Sequence, residues 1–254
     1  MIKFLRGLTV PVGILIVWEL YARTGYAPRY IVAPTEVMKT LWAMIINGSI
    51  FKHTGRSIER ATVGFVIGSF FGTLAGLAAG VLKPVENFYD PIISLTYPVP
   101  KIALLPLIFT WFGIGDTAKF VIITMAVFYP TFIASFYGAK SVERVLIWSA
   151  RNMGASRWQV FHRVVVPAAM PQVFNGLRVG LALSLIIMVT SELIAANEGL
   201  GYLIGAAQES LRFDIMYVAL LIIGLLGFGA DRVMKIARRR LLVGQTLGTE
   251  AGNG

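Results

Sequence analysis

The strongest constraint on this chain is a set of long stretches without a single charged residue. Ala61 to Leu82 runs for 22 residues, Phe120 to Ala139 for 20 and Ile215 to Ala230 for 16. A helix rises ~1.5 Å per residue and the hydrocarbon layer of a bilayer is ~30 Å thick, so about 20 residues make one crossing. Three shorter runs, Gly7 to Trp18, Ile102 to Gly115 and Val179 to Ser191, complete a crossing if each admits one charge: Glu19, Lys101 and Glu192 respectively. Inside lipid every backbone amide must find a partner within the protein, so such runs read as helices. The expectation is an all-α integral membrane protein with about six transmembrane helices. Its content of charged residues, 14% where soluble domains carry about 25%, points the same way.

Within the second span glycine recurs at Gly64, Gly68, Gly72, Gly76 and Gly80, every fourth position. That spacing lines one helix face with hydrogen atoms and lets a neighbouring helix approach closely, which is how helices associate where hydrophobicity offers no preference. Lys3 and Arg6 ahead of the first run imitate a secretory signal. Glu19 and Arg23 follow without a small-residue cleavage site, so the helix is read as retained.

A net charge of +10 raises the question of nucleic acid, and the placement of the 23 Lys and Arg residues answers it. With the N-terminus inside, 13 fall in cytoplasmic segments and 8 in outer ones, Lys101 and Arg178 lying within spans. The bias places both termini of a multi-pass membrane protein in the cytoplasm and leaves no role for nucleic acid. Six of the outer charges lie in one long segment, residues 23 to 60, where Val37, Leu41, Met44 and Ile45 share a face as in an interfacial helix.

Between the fourth and fifth spans, Lys140 to Pro171 is too polar to cross a membrane yet helical in pattern. Ser141 is expected to cap a helix with Val142, Val145, Leu146, Ser149 and Met153 on its apolar side and Gly154 as its stop. Ser156 and Gln159 form a capping-box pair opening a second helix, Arg157 to Val166, closed by Pro167. Arg144, Trp148 and Arg151 lie opposite the apolar side. An exposed Trp between two Arg residues has the composition of an interface anchor, or else rests on lipid headgroups.

At these residues the sequence resembles the permease subunits of binding-protein-dependent, type I ABC importers. Their cytoplasmic loop carries Glu-Ala-Ala, three residues, Gly, nine residues, Ile, one residue, Leu-Pro. Here Trp148-Ser149-Ala150, Gly154, Val164, Val166 and Pro167 keep the spacing; Ala150, Gly154 and Pro167 match outright, while Trp148 and Ser149 replace the Glu and first Ala. Gly154-Ala155-Ser156-Arg157-Trp158-Gln159 and Val166 to Pro171 extend the likeness, which covers roughly residues 50 to 240. Ser191 to Ala196 and Gly199 to Ile204 look like the end of the fifth span in this family, and Pro106 to Asp116 like the branch importing sulfonates, taurine and nitrate.

The resemblance implies a domain plan: residues 1–50 as a first helix with an interfacial segment, 51–240 as the importer transmembrane domain, and 241–254 as a cytoplasmic tail. It also implies a homodimeric pore moving a small anion, two ATP-binding cassette subunits holding the loop, and an extracytoplasmic solute-binding protein. The coupling residues would be Arg144, Trp148, Ala150, Arg151, Gly154, Ala155, Ser156, Gln159 and Pro167. ATP and Mg would sit on the partner ATPase, with no cofactor on this chain.

Charges inside spans face the protein interior or a water-filled path, which makes Lys101, after Pro98 and Pro100, and Glu192 the candidates for pore or gate. Lys101 attracts an anion there, or else snorkels or pairs with a carboxylate. A membrane-embedded enzyme is disfavoured. His53 and His162 lie in loops on opposite sides, cysteine is absent, and no metal-ligand cluster, nucleophile elbow or Gly-x-x-x-x-Gly-Lys sequence is present. The alternative class is an ion-coupled secondary transporter, which would show interrupted repeat helices and several buried acids.

Overall fold

The computed structural model describes residues 2–242, with side chains from residue 9 onward. Most of the expected tail, from residue 243, and the side chains of Lys3 and Arg6 lie outside the described residues. These are helical nearly throughout: α1 (Ile2–Arg23), α2 (Pro34–Ile46), α3 (Ser49–Val81), α4 (Lys83–Thr96), α5 (Leu105–Phe112), α6 (Asp116–Lys140), α7 (Arg144–Asn152), α8 (Arg157–Val160), α9 (Val166–Ala195), α10 (Leu200–Glu209) and α11 (Phe213–Leu241).

Among the described residues, four helices are long and apolar enough to cross a membrane: Ser49–Val81, Asp116–Lys140, Arg157–Ala195 and Phe213–Leu241. The expected span at Ile102 to Gly115 is replaced by a bent element, apolar enough to make a fifth crossing if its two halves are counted as one. It is a pair, Lys83–Thr96 and Lys101–Phe112, bent by 86°. The break has a local cause: Pro98 and Pro100 cannot donate backbone hydrogen bonds, so α4 ends at Thr96 and the chain resumes in a short 3-10 turn, Lys101–Leu104. Gly113 (φ +77°) then terminates α5 before the end of the expected span. The first expected span, Gly7 to Trp18, lies within α1.

The described chain divides into two compact units. Of the described residues, one comprises 2–58 and 192–225, the other 59–191 and 226–242. In the first, α2 buries Val37, Leu41 and Met44 against protein, so its apolar face serves packing where an interfacial role was expected.

The second unit is organised around α6. A Cβ at Gly68 would lie 2.6 Å from the Thr124 carbonyl oxygen and 2.8 Å from Val127 Cβ; one at Gly72 would lie 2.7 Å from the Phe128 oxygen, and one at Gly80 2.8 Å from the Phe136 oxygen. The five glycines of α3 therefore form the groove into which α6 fits, and at Gly68, Gly72, Gly76 and Gly80 the obstacles to a side chain include α6 carbonyl oxygens that cannot rotate away. On α9, Gly176 performs the same task, with the Pro130 oxygen 2.9 Å from a would-be Cβ. Around these contacts Leu105, Ile108, Ile122, Ile123, Val127 and Met188 form a core shielded from solvent. Asp116 opens α6, where the helix dipole favours an anion, and its Oδ1 lies 2.7 Å from Nη2 of Arg60. Arg60 and Lys119, assigned from sequence to outer segments, are both buried.

Candidate functional site

The loop between α6 and α9 is a hydrogen-bonded knob. Ser141 does not start its first helix: the Ser141 hydroxyl donates to the Gly138 carbonyl, closing α6, and α7 begins at Arg144 after Glu143. A serine just past a helix end has carbonyls within reach, and these outcompete the capping role. Gly154 (φ +84°) ends α7 as expected. Its N–H donates to Arg151 O at 2.9 Å and that of Ala155 to Ala150 O at 3.0 Å, the paired bonds of a Schellman motif. Ser156 follows immediately. Its N–H donates to Gln159 Oε1 at 2.8 Å and its Oγ accepts from the Gln159 N–H at 3.2 Å, so the capping box is complete. Only Ala155 separates the stop of one helix from the cap of the next.

Pro167 does not close the second helix. The chain passes through a π-helical turn, Phe161–Val165, and continues into α9, so that Arg157–Ala195 is one helix of 39 residues. The wider turn accommodates a proline whose ring would otherwise clash with the Arg163 carbonyl. At ~1.5 Å per residue this helix is nearly 60 Å long, about twice the hydrocarbon thickness, so much of it must project from the bilayer. The knob is tied down at both ends: Ala150, Val160 and Val165 pack with Leu77 of α3, Ala139 of α6 and Ala169 and Val173 of α9.

Of the apolar positions expected to pack the first helix, Val142 lies against the core of the knob while the others face outward. Val145, Leu146 and Met153 are 62%, 47% and 81% exposed, while Ile147 and Ala150 turn inward. Trp148 and Trp158 are exposed as well, at 56% and 70%. Such a surface on an otherwise anchored element marks a contact site. A concavity of about 310 Å3 beside Met153 and Gly154 is also lined by Gln159 and Arg163. Arg144 and Arg151 line a separate hollow towards the ends of α3 and α6.

Lys101 and Glu192 occupy different surroundings. The Lys101 ammonium donates to Thr96 O (2.6 Å), Val99 O (2.9 Å) and Tyr97 O (3.1 Å) and lies 4.0 Å above the Tyr129 ring. It gathers the carbonyls at the break after α4, of which Thr96 O also accepts from the Val99 N–H at 3.2 Å. Glu192 is fully buried and faces the start of α10. Its carboxylate accepts from Gly201 N–H at 3.0 Å and from Ser57 Oγ at 2.8 Å; Ser57 Oγ accepts from Leu200 N–H at 2.8 Å, and His53 Nδ1 accepts from Gly199 N–H at 3.2 Å. Three side chains thus satisfy three amides at one helix end. Gly199 (φ +124°) is required here, since any Cβ would meet the Glu192 carboxylate.

Replacing Glu192 with leucine keeps the volume and removes both acceptor oxygens. It is expected to cost about 2–4 kcal/mol and to raise amide exchange at Leu200 and Gly201, readable by hydrogen exchange with a thermal melt. Nearby, the hydrogen bond from Lys52 holds the Glu198 carboxyl below the usual carboxylate range, with Arg56 adding to the effect. A depressed folded pKa stabilises above the unfolded value and is lost as pH falls through the folded one, so this loop keeps its ion pair at neutral pH.

Ser57 and His53 gave no signal in the sequence, because their partners lie more than 130 positions away. Trp158 and Arg157 were visible only as part of the matched stretch. Among the described residues no group of acids, histidines or cysteines has the makings of a metal site.

Comparison with known proteins agrees with this arrangement. The family described as "Binding-protein-dependent transport system inner membrane component" matches residues 68–243, which include the whole knob. The taurine transport system permease protein TauC of Escherichia coli K12 is 33% identical over 246 residues, covering 93% of this chain and 90% of the relative. The putative aliphatic sulfonates transport permease protein SsuC of the same organism is 34% identical over 231 residues, covering 91% and 88%. Among solved structures, the inward-facing MetNI methionine ABC transporter aligns with a TM-score of 0.60 at 18% identity, over 74% of this chain and 96% of that one. An amino acid ABC transporter aligns at 0.58 and 17% identity, over 79% and 97%. These last two show the fold alone. The chain belongs to the binding-protein-dependent inner membrane component family, and is the multi-pass permease subunit of an ABC importer, a transport subunit whose ATP hydrolysis falls to a partner.

Proposed function

We propose that two copies of this chain form the pore of an importer for a small anionic solute of the sulfonate or taurine type. Two ATPase subunits dock on the 144–165 knobs, and a solute-binding protein delivers the cargo from outside. The observation that carries the reading is the knob itself, an outward apolar surface on an element whose turn is fully hydrogen-bonded and whose second helix runs unbroken into a span. Movement imposed on such an element is transmitted as rigid-body motion, whereas a slack loop would absorb it. Val145, Leu146 and Met153 with Trp148 supply the apolar centre of the contact, and Gln159 and Arg163 its polar edge. Ala150, Gly154, Ala155, Ser156 and Pro167 serve by holding the shape.

The count of Lys and Arg favours termini in the cytoplasm. The short 140–171 loop carries Lys140, Arg144, Arg151, Arg157 and Arg163, and it is Lys and Arg in short loops that set orientation. The substrate class rests on the two relatives named for taurine and sulfonates. Lys101, poised at the broken crossing, is the candidate to meet the anion in transit, while Glu192 acts at the outer gate indirectly, by holding α10.

The test is uptake in proteoliposomes. Accumulation of taurine or an alkanesulfonate should require this chain, the ATPase, the binding protein and ATP together. Uptake by this chain alone, driven by an ion gradient, would return it to the secondary transporters.

A further inference from the structure

The last turns of α3 and α6 and the inner side of the knob enclose a cavity of about 680 Å3. Its walls are of two kinds. One is apolar, with Leu74 and Val81 of α3 and the following Leu82 about half exposed, and Val165 at the end of the π-turn. Onto the other converge Lys140, Arg144, Arg151 and Arg157. Lys140 is held by Glu86 at 2.7 Å. The three guanidinium groups have no hydrogen bond or ion pair among the described residues. The Trp158 indole borders the same space and stacks on His162.

Cations gathered round one hollow repel one another until an anion enters, so the charge alone asks for an anionic occupant. The apolar wall narrows the choice. An inorganic anion would leave Leu74 and Val81 in contact with water, whereas a molecule with an acyl chain covers them while its phosphate meets the arginines. The place is right for such a molecule, because here apolar spans give way to a polar loop, the level at which headgroups lie and at which basic pockets between spans take anionic headgroups. We propose that this cavity is a binding site for one anionic phospholipid of the phosphatidylglycerol or cardiolipin kind. Its headgroup bridges Arg144, Arg151 and Arg157, and an acyl chain lies along Leu74 and Val81. The lipid joins the knob to the ends of α3 and α6 and stiffens the lever. The site needs only a bilayer boundary at this level; that it lies in the cytoplasmic leaflet rests on the proposed orientation.

The experiment uses the full chain in detergent, titrated with phosphatidylglycerol or phosphatidylcholine carrying brominated chains, which quench nearby tryptophan. The expected result is quenching at a concentration at least 10-fold lower with phosphatidylglycerol. That preference should be lost in the Arg144→Gln/Arg151→Gln/Arg157→Gln variant, reduced in Arg151→Gln alone and kept in Arg163→Gln, while Trp158→Phe removes the quenched signal. Equal response to the two lipids, or preference unchanged in the triple variant, overturns the proposal. Competition by inorganic phosphate at equal concentration would assign the site to a free anion, and release of the lipid on adding the ATPase would assign the arginines to a protein interface; either outcome overturns it. A failure here leaves uptake in proteoliposomes unaffected, so the two readings fail separately.

Discussion

Gly72→Leu is expected to prevent this protein from accumulating in the membrane in a folded form. A side chain at that position starts 2.7 Å from the Phe128 carbonyl oxygen and 3.2 Å from the Phe132 amide nitrogen, both backbone atoms of α6. Neither can rotate away, so α3 and α6 must separate. Overpacking by single methylenes already costs about 1–3 kcal/mol; a leucine adds four heavy atoms and opens the core that contains Ile123 and Val127. Gly55 supplies the control within the same helix, since a Cβ there meets nothing within 4 Å. Gly55→Ala should be neutral or slightly stabilising, by up to about 1 kcal/mol from helix propensity. Fluorescence-detected size exclusion of tagged variants reads both; a sharp, normal peak from Gly72→Leu would refute the close helix contact.

The second large effect is expected at the knob. Leu146→Asp combined with Met153→Asp changes two outward-facing side chains, so folding and insertion should survive. Docking should not, because each carboxylate would be desolvated in the contact without a partner. Truncations at interface centres cost about 2–4 kcal/mol, and buried unpaired charge costs at least as much. ATPase retention on affinity purification and ATP-driven uptake should fall together by about 30-fold or more. Retention at the native level would show that the apolar face is not the contact.

Local features were the ones legible from sequence. The three longest apolar runs, the glycine period in α3, the Gly154 stop and the Ser156–Gln159 box depend on residues within a few positions of one another, and each stands where expected. The third crossing was placed wholly beyond Pro98 and Pro100, whereas apolar helices flank the two prolines on both sides, as α4 and α5. The outer face of α7 read as a packing face, since periodicity shows that apolar residues align and not which protein they meet. Glu192 could be recognised as a buried acid, but not as the cap of a helix starting eight residues later with help from Ser57. Lys101 likewise drew notice as an intramembrane charge, whereas its use by three carbonyls depends on where α4 stops.

With no native cysteine in the chain, Met153→Cys places one spin label on the outward face of each knob. The distance between the labels of two copies, measured in the assembled importer with and without ATP, addresses the lever directly. A rigid knob driven by the ATPase predicts a single distance that shortens by several ångströms when ATP binds, with little broadening. An identical distance in both states, or one that smears over a wide range, would contradict the account.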